Sequence, residues 1–304
     1  MTYRGSGGPR LSPPEVVVAI KALACELPAA SGRPLSRWQC PDLARAAIEQ
    51  GIVASISGTT VWRWLNADAI KPWQHRSWIF PRDPDFVAKA GRVLDLYARR
   101  WEGKPLKTDE FVISTDEKTS IQARCRCHPT LPPGQRQPMR VEHEYHRHGA
   151  LAYLAALDVH HAKVLGRCED TTGIVPFSRL VEQVMTTEPY ASARRVFFVA
   201  DNGSSHRGQA SIDRMANAWP TAKLVHLPIH ASWLNQIEIY FSIIQRKILA
   251  PNDFHDLGAV ADRLLAFERY WQDTGTPFDW KFTRTDLDDL LARIDTHEPL
   301  KLAA

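Results

Sequence analysis

The chain has 304 residues, 44% hydrophobic and 24% charged, which is the balance of an ordinary globular protein of about two domains. No apolar run approaches the roughly 20 residues that span a bilayer, and MTYRGSGGPR has no apolar signal core, so a cytoplasmic protein without a membrane role is expected. Five cysteines without regular spacing argue against a disulfide framework, and the net charge of +4 is unevenly placed: residues 1–100 hold 14 Lys and Arg against 8 Asp and Glu, the remainder 24 against 26.

Residues 1–13, rich in Gly, Ser and Pro, read as a flexible linker. Residues 14–27 read as a helix with Pro14 in its first turn. A second helix covers 41–50 and is ended by Gly51. Ser57 then fits the N-cap of a third helix running to about Asn66. Two short helices joined by such a turn suggest a helix-turn-helix, whose second helix presents Ser57, Thr59, Thr60 and Arg63 to base edges. An ordinary helical hairpin explains the same pattern, with Val61, Trp62, Trp64 and Leu65 mostly as core. Three prolines break residues 67–85, a helix follows over 86–100, and the polar stretch 101–110 is the expected boundary. The predicted organisation is a helical DNA-binding region over 14–100, a catalytic domain over 107–275 and a C-terminal tail helix within 276–304.

The pattern then changes. FVIST (111–115) reads as a strand followed at once by Asp116. Residues 151–159 and 163–167 form a predicted hairpin, and 174–187 a helix. RRVFFVA (194–200) is an apolar strand that ends in Asp201. A helix over 204–218 and a strand over 222–228 follow. From Ser232 a helix carries Leu234, Ile237, Phe241, Ile244 and Ile248 at the 3.6-residue period, and Glu238 borders that stripe. Helices over 256–273 and 283–295 close the chain. Strands first in a hairpin group, then alternating with helices, give an α/β class with a mixed sheet flanked by helices.

Asp116 and Asp201 stand where strands are expected to end, the place where ligands gather on α/β sheets. Carboxylate oxygens suit Mg²⁺ or Mn²⁺. In-line displacement at a phosphodiester needs the attacking and the leaving oxygen stabilised together, which two metals about 4 Å apart achieve. Three acids gathered without a cation would raise one another's pKa. Among 34 acidic residues, however, three at element ends also arise by chance.

The residues around these acids narrow the choice. ISTDEKTSIQAR (113–124), VFFVADNGSSHRG (196–208) and HLPIHASWLNQIEIYFSIIQRK (226–247) together resemble the catalytic domain of bacterial insertion-sequence transposases of the mariner-like superfamily, insertion-sequence 630 branch. WIFPRDPDFVAKAGRVLDLY (78–97), HEYHRHGALAYLAALDVHHAKVLGR (143–167) and FDWKFTRTDLDDLLARI (278–294) resemble it too. The resemblance spans about residues 35–295. It implies an RNase H-like fold preceded by a small helix-turn-helix domain, and Asp116, Asp201 and Glu238 as catalytic and metal-holding residues for two Mg²⁺ or Mn²⁺ ions. It implies DNA as partner, with hydrolysis at element ends, attack of the 3′-hydroxyl on target DNA at TA, and a homodimer on DNA. Asn202, His206 and Asn235 are the candidate supporting residues: Asn202 to orient a carboxylate or phosphate and His206 to touch the scissile phosphate, with an Asx-type turn and a cap as the structural alternative for both, and Asn235 either to support the third acid or to face solvent. RGSGGPR (4–10) resembles the linker between two helix-turn-helix units, so the first unit is expected to be missing. A non-catalytic, DNA-binding relic and a structure-specific nuclease are the competing readings. Cys125, Cys127 and His128 lack a second ligand pair for zinc, His143, His146 and His148 fall at a strand entry, and Ser204, Ser205 and His206 are too close in sequence to form a catalytic triad.

Overall fold

The computed structural model describes residues 13–75 and 81–297. The expected linker 1–13 therefore lies almost wholly outside the described residues. Two compact units divide the chain, residues 1–79 and 80–304.

In the first unit, α1 (Pro14–Cys25), a 3-10 turn (Pro28–Ser31), α2 (Cys40–Glu49) and α3 (Gly58–Ala67) close around one small core. Ile20, Leu23, Trp38, Leu43, Ala46, Val61 and Leu65 fill it. The Trp38 ring is buried and its indole N–H donates to the Glu26 carbonyl at 2.9 Å, so a large apolar group enters the core without a stranded donor. Ser57 is the N-cap of α3: its hydroxyl accepts from the Thr60 N–H at 3.2 Å. Val61 and Leu65 put one face of α3 into the core, which leaves Thr59, Trp62, Arg63 and Asn66 on the open face.

The second unit begins earlier than the sequence suggests. The helix expected at the end of the first region is α4 (Phe86–Tyr97), and its Phe86, Ala90, Val93, Leu94 and Leu96 belong to the core of the second unit. Asp83, buried just before it, takes Lys89 at 2.9 Å and the Ile229 N–H at 2.9 Å, which fixes the helix start. After the short ribbon β1 (Arg100–Trp101) and β2 (Lys104–Pro105) come β3 (Glu110–Arg126), β4 (Tyr145–Asp158), β5 (Val164–Glu169), α5 (Ile174–Met185), β6 (Arg195–Ala200), α6 (Gln209–Ala218) and β7 (Ala222–His226). A 3-10 turn (Ser232–Leu234), α7 (Ile237–Lys247), α8 (Leu257–Thr274) and α9 (Arg284–His297) complete it.

The five-stranded sheet has the order β5-β4-β3-β6-β7. The β3–β4 and β4–β5 pairs are antiparallel, and β3–β6 and β6–β7 are parallel. Alternate side chains serve opposite faces. Val112, Phe197 and Val199 meet α4, α7, α8 and α9, whereas Phe111, Ile113, Val196 and Phe198 meet α5 and α6. Helices thus cover both faces of a mixed sheet, as expected.

β3 is far longer than the expected FVIST strand. Its first half lies between β4 and β6 and is apolar; beyond Ser114 it pairs only with β4 and carries polar residues. Asp116 therefore sits within a strand, at the level where β6 stops.

A buried polar network lies under β4. Tyr153, fully buried, donates from its hydroxyl to Glu268 of α8 at 3.2 Å. Gly166 on β5 faces this hydroxyl, and a Cβ there would lie 2.3 Å from it, so only glycine fits. Burial raises the Glu268 carboxyl to about 7. The folded protein thus holds a proton that the unfolded chain releases near the ordinary value of about 4.3. Stability contributed by this group is present at low pH and is lost as pH rises to about 7. The melting temperature of Glu268→Gln relative to the parent is expected to climb by a few degrees between about pH 4.5 and 7 and to level off above. A gap independent of pH in a thermal-shift series would contradict this.

Candidate active site

Asp116 and Asp201 are set side by side by strand register. Ser114 pairs with Val199 across the parallel β3–β6 pair, and continuing two residues along both chains brings Asp116 opposite Asp201, the first residue after β6. Both project toward the face that α7 covers, because Val112 and Val199, two or four residues earlier, do. Glu238 approaches from above that face, in the first turn of α7 between buried Ile237 and Tyr240.

What fixes α7 against β3 is Asn235. It is 1% exposed, in an extended backbone conformation that separates the 3-10 turn from α7. The Ser114 hydroxyl donates to its Oδ1. Its Nδ2 donates to the Thr115 carbonyl and to Asp116 Oδ2, both at 3.1 Å. Ser114 Oγ in turn accepts the Ile237 N–H at 2.9 Å, one of the helix's free first-turn donors. Tyr97 of α4 donates to the Leu234 carbonyl at 2.8 Å. The helix expected to run unbroken from Ser232 is interrupted here, where the extended backbone of Asn235 accompanies a side chain bonded to β3. Ser114 is the site residue that sequence reasoning missed, although a hydroxyl inside the apolar run FVIS is its visible signal.

Asp201 is held by different means. Its Oδ1 accepts the Gly203 N–H at 2.7 Å and lies 2.6 Å from His206 Nε2. A Cβ on Gly203 would stand 2.9 Å from that oxygen and 3.1 Å from His206 Nε2, so any larger residue would push the carboxylate and the imidazole from their places. His206 Nδ1 lies 2.8 Å from Ser205 Oγ, which donates to Glu117 Oε1 at 2.8 Å. The chain Asp201–His206–Ser205–Glu117 thus closes back onto β3 beside Asp116. His206 is 0% exposed and packs at 4.7 Å on the Phe177 ring. The expected contact with a scissile phosphate is therefore corrected: His206 orients Asp201 from below. It also precedes α6, which starts at Gln209 rather than at 204. Asn202 Nδ2 donates to the Leu227 carbonyl at 2.7 Å and so ties the turn after β6 to the exit of β7.

The two aspartates are driven apart in acidity. Burial first, then the charges of Asp201, Glu117 and Glu238, push Asp116 up to about 7. The hydrogen bond from His206, with the Gly203 N–H, holds Asp201 below the usual carboxylate range. Glu238 is raised by partial loss of hydration and by Asp201, against the pull of Lys118. Its side chain is nonetheless open to solvent at the mouth.

The donor set is all carboxylate oxygen, with lone pairs unused on each acid, and suits a hard divalent cation. An uncompensated acid cluster that raises Asp116 is also what a cation would relieve. Among the described residues, no three His, Cys, Asp or Glu side chains are drawn together tightly enough to form a closed metal cage. The acids are near enough to feel one another's charge, with Glu238 standing off on the solvent side. His128 is bonded to Glu142 at 2.7 Å, and Cys125 and Cys127 are free.

Residues 112–260, just under half of the chain, match the family model of the DDE superfamily endonuclease. That span contains Asp116, Asp201 and Glu238. No curated protein matches the sequence significantly. Among solved structures, the Mos1 mariner paired-end complex with Mn is similar at a TM-score of 0.54 and 16% identity, over 90% of this chain and 77% of that one. The pre-cleavage Mos1 transpososome is similar at 0.54 and 15%, over 96% and 81%. The Mos1 strand transfer complex is similar at 0.52 and 15%, over 90% and 76%. The sheet and its helices accordingly have the RNase H-like fold. Among the described residues no helix is long and apolar enough to cross a membrane.

Replacing Asn235 by alanine takes the acceptor from the buried Ser114 O–H and the side-chain donor from the Thr115 carbonyl, at a cost of about 2–3 kcal/mol. For a unit of this size the melting temperature is expected to fall by about 5–10 °C. An unchanged transition in differential scanning calorimetry would show that the clamp does not hold α7.

Proposed function

We propose that the chain is a DNA transposase that cleaves element ends and joins them to target DNA, with Asp116, Asp201 and Glu238 as its catalytic carboxylates. The observation that carries this reading is the register-fixed pairing of Asp116 with Asp201 beneath Glu238, within the span that matches the endonuclease family model. The structural likeness to the Mos1 paired-end complexes with Mn and with the left transposon end, and to the Mos1 strand transfer complex, supports it.

Two Mg²⁺ or Mn²⁺ ions held by these acids would stabilise the attacking and leaving oxygens of a phosphodiester. The protein's own residues prepare that site. His206 and the Gly203 N–H keep Asp201 ionised and fix which oxygen faces outward. Asn235 positions Asp116 without holding it ionised: its amide takes Oδ2 on one side and the Glu117 N–H takes Oδ1 at 2.8 Å on the other. Glu238, exposed on the first turn of α7, has the rotamer freedom to close onto a bound ion. The reaction is hydrolysis at the element end, then attack of the freed 3′-hydroxyl on target DNA, with TA as the proposed target and a homodimer as the DNA-bound form.

The first unit supplies sequence reading. Thr59 and Arg63 lie exposed on α3 and are the candidates for base contact, whereas Ser57 caps the helix by accepting the Thr60 N–H, and the two hydroxyls lie 3.0 Å apart. Phosphate contacts from this basic third would make binding salt-dependent.

Incubation of the protein with labelled element ends and Mn²⁺ or Mg²⁺ is expected to give nicks at the ends. Asp201→Asn should reduce nicking by a thousandfold or more while DNA binding persists, an order of magnitude set by the loss of metal-borne charge stabilisation. Retained DNA binding without any nicking by the parent protein would instead favour a non-catalytic relic.

A further inference from the structure

Beyond Lys118 the long strand β3 leaves the acids and builds a strongly cationic surface. Register shifts interrupt its pairing with β4 between Lys118 and Ile121 and again between Gln122 and Arg124. Ser120, in the first interruption, has φ 57°, a left-handed conformation that a serine adopts at a cost and that tends to persist where function holds it. The interruptions open a cavity of about 240 Å³ lined by Lys118, Ser120, Gln122 and Arg124 with Gln245 and Asn252. Two cations and no carboxylate line it. Asn252 stitches its wall, accepting from the Arg124 N–H at 2.9 Å and donating to the Gln122 carbonyl at 2.7 Å.

Next to the cavity three guanidinium groups surround one ring. Arg124, Arg126 and Arg147 stand 4.8, 5.0 and 5.9 Å from the centre of Tyr145. Arg124 is the direct cross-strand partner of Arg147, and Arg126 that of Tyr145, so all four share one face. Like charges directly opposite destabilise an antiparallel pair. Among the described residues none of the three guanidinium groups forms an ion pair: Arg124 Nε donates to Gln122 Oε1 at 3.2 Å, Arg147 to the Tyr145 hydroxyl at 3.5 Å, and the Asp253 carboxylate accepts the Arg126 backbone N–H at 3.1 Å. The Glu142 carboxylate is engaged by His128, and Arg126 is occupied by the carbonyls of Asn252 and Glu142. Such a cluster keeps its cost in the free protein and recovers it when an anion arrives.

We propose that this cavity and the Arg124–Arg126–Arg147 cluster are a binding track for the phosphates of a DNA strand leaving the acid cluster. The track rests on the transposase reading and names where that substrate's backbone lies. Gln245 is seven residues beyond Glu238 on α7, about 10 Å along the helix axis. At about 3.4 Å of duplex axis per nucleotide, a duplex lying parallel to α7 would bring to the cavity a phosphate roughly three nucleotides from the reacting one. Arginine suits it because the planar fork holds phosphate oxygens in pairs while its face stacks on Tyr145.

The test uses the full chain, a fluorescein-labelled DNA duplex and EDTA, so that binding is read without cleavage. Arg124→Gln and Arg147→Gln are each expected to weaken binding about three- to tenfold near 0.1 M salt. The double variant should flatten the slope of log Kd against log salt by about 1.5 to 2. Its melting temperature should hold or rise, because a like-charge pair is removed. An unchanged slope overturns the track, whether the variant melts like the parent or melts lower. Nicking by the parent protein is scored separately: failure to nick with the slope change present sinks the catalytic reading and leaves the track standing, and nicking with no slope change does the reverse.

Discussion

The amide of Asn235, buried between β3 and the start of α7, is the contact on which the proposed site depends. Sheet register alone brings two acids together, since parallel strands of matched length must place equivalent residues side by side. The third acid comes from a helix, and helices slide on sheets unless something directional holds them. Asn235 and Ser114 supply that direction through bonds to a hydroxyl, a carbonyl and a carboxylate, and through the capture of the Ile237 N–H. Nearly every one of these groups is buried, so breaking any bond leaves an unpartnered polar group and the arrangement is close to all-or-none.

The same contacts decide how the acids share charge. Asp201 is surrounded by donors and stays ionised; Asp116, more deeply buried and next to three other carboxylates, is the member that takes up a proton when no cation is present. Environments that push neighbouring acids apart are a mark of functional sites. Here the asymmetry is also a form of storage: repulsion kept in the free protein is released on cation binding. The arginine cluster at the far end of β3 has the same logic with opposite sign. A single strand thus carries an anionic centre that suits metal and a cationic stretch that suits phosphate, separated by a break in its pairing.

Much of this is legible in the chain, and the omissions have physical causes. The apolar strand 194–200 and the amphipathic stripe of α7 are periodic signals, and both appear within a few residues of the expected places. The sequence pattern assigns α4 to the wrong unit, because an amphipathic helix shows that it has a core face but not which core receives it. The polar half of β3 is invisible in the sequence, since a strand paired on one side only needs no apolar run. Asp116, Asp201 and Glu238 stand out through the resemblance of the surrounding residues rather than through their spacing. His206 is visible in the sequence, but its role is not. A histidine near an acid can lie above it, facing DNA, or below it, sealed by Phe177, and only the fold distinguishes the two.

Anomalous diffraction from crystals of the chain soaked in Mn²⁺ tests the central claim most directly. A peak about 2.0–2.3 Å from carboxylate oxygens of both Asp116 and Asp201, with Glu238 turned inward to the same ion or to a second, is the expected result. A soaked crystal with no peak there, or with ions bound only elsewhere on the surface, would contradict the assignment of these three acids as one metal-holding site.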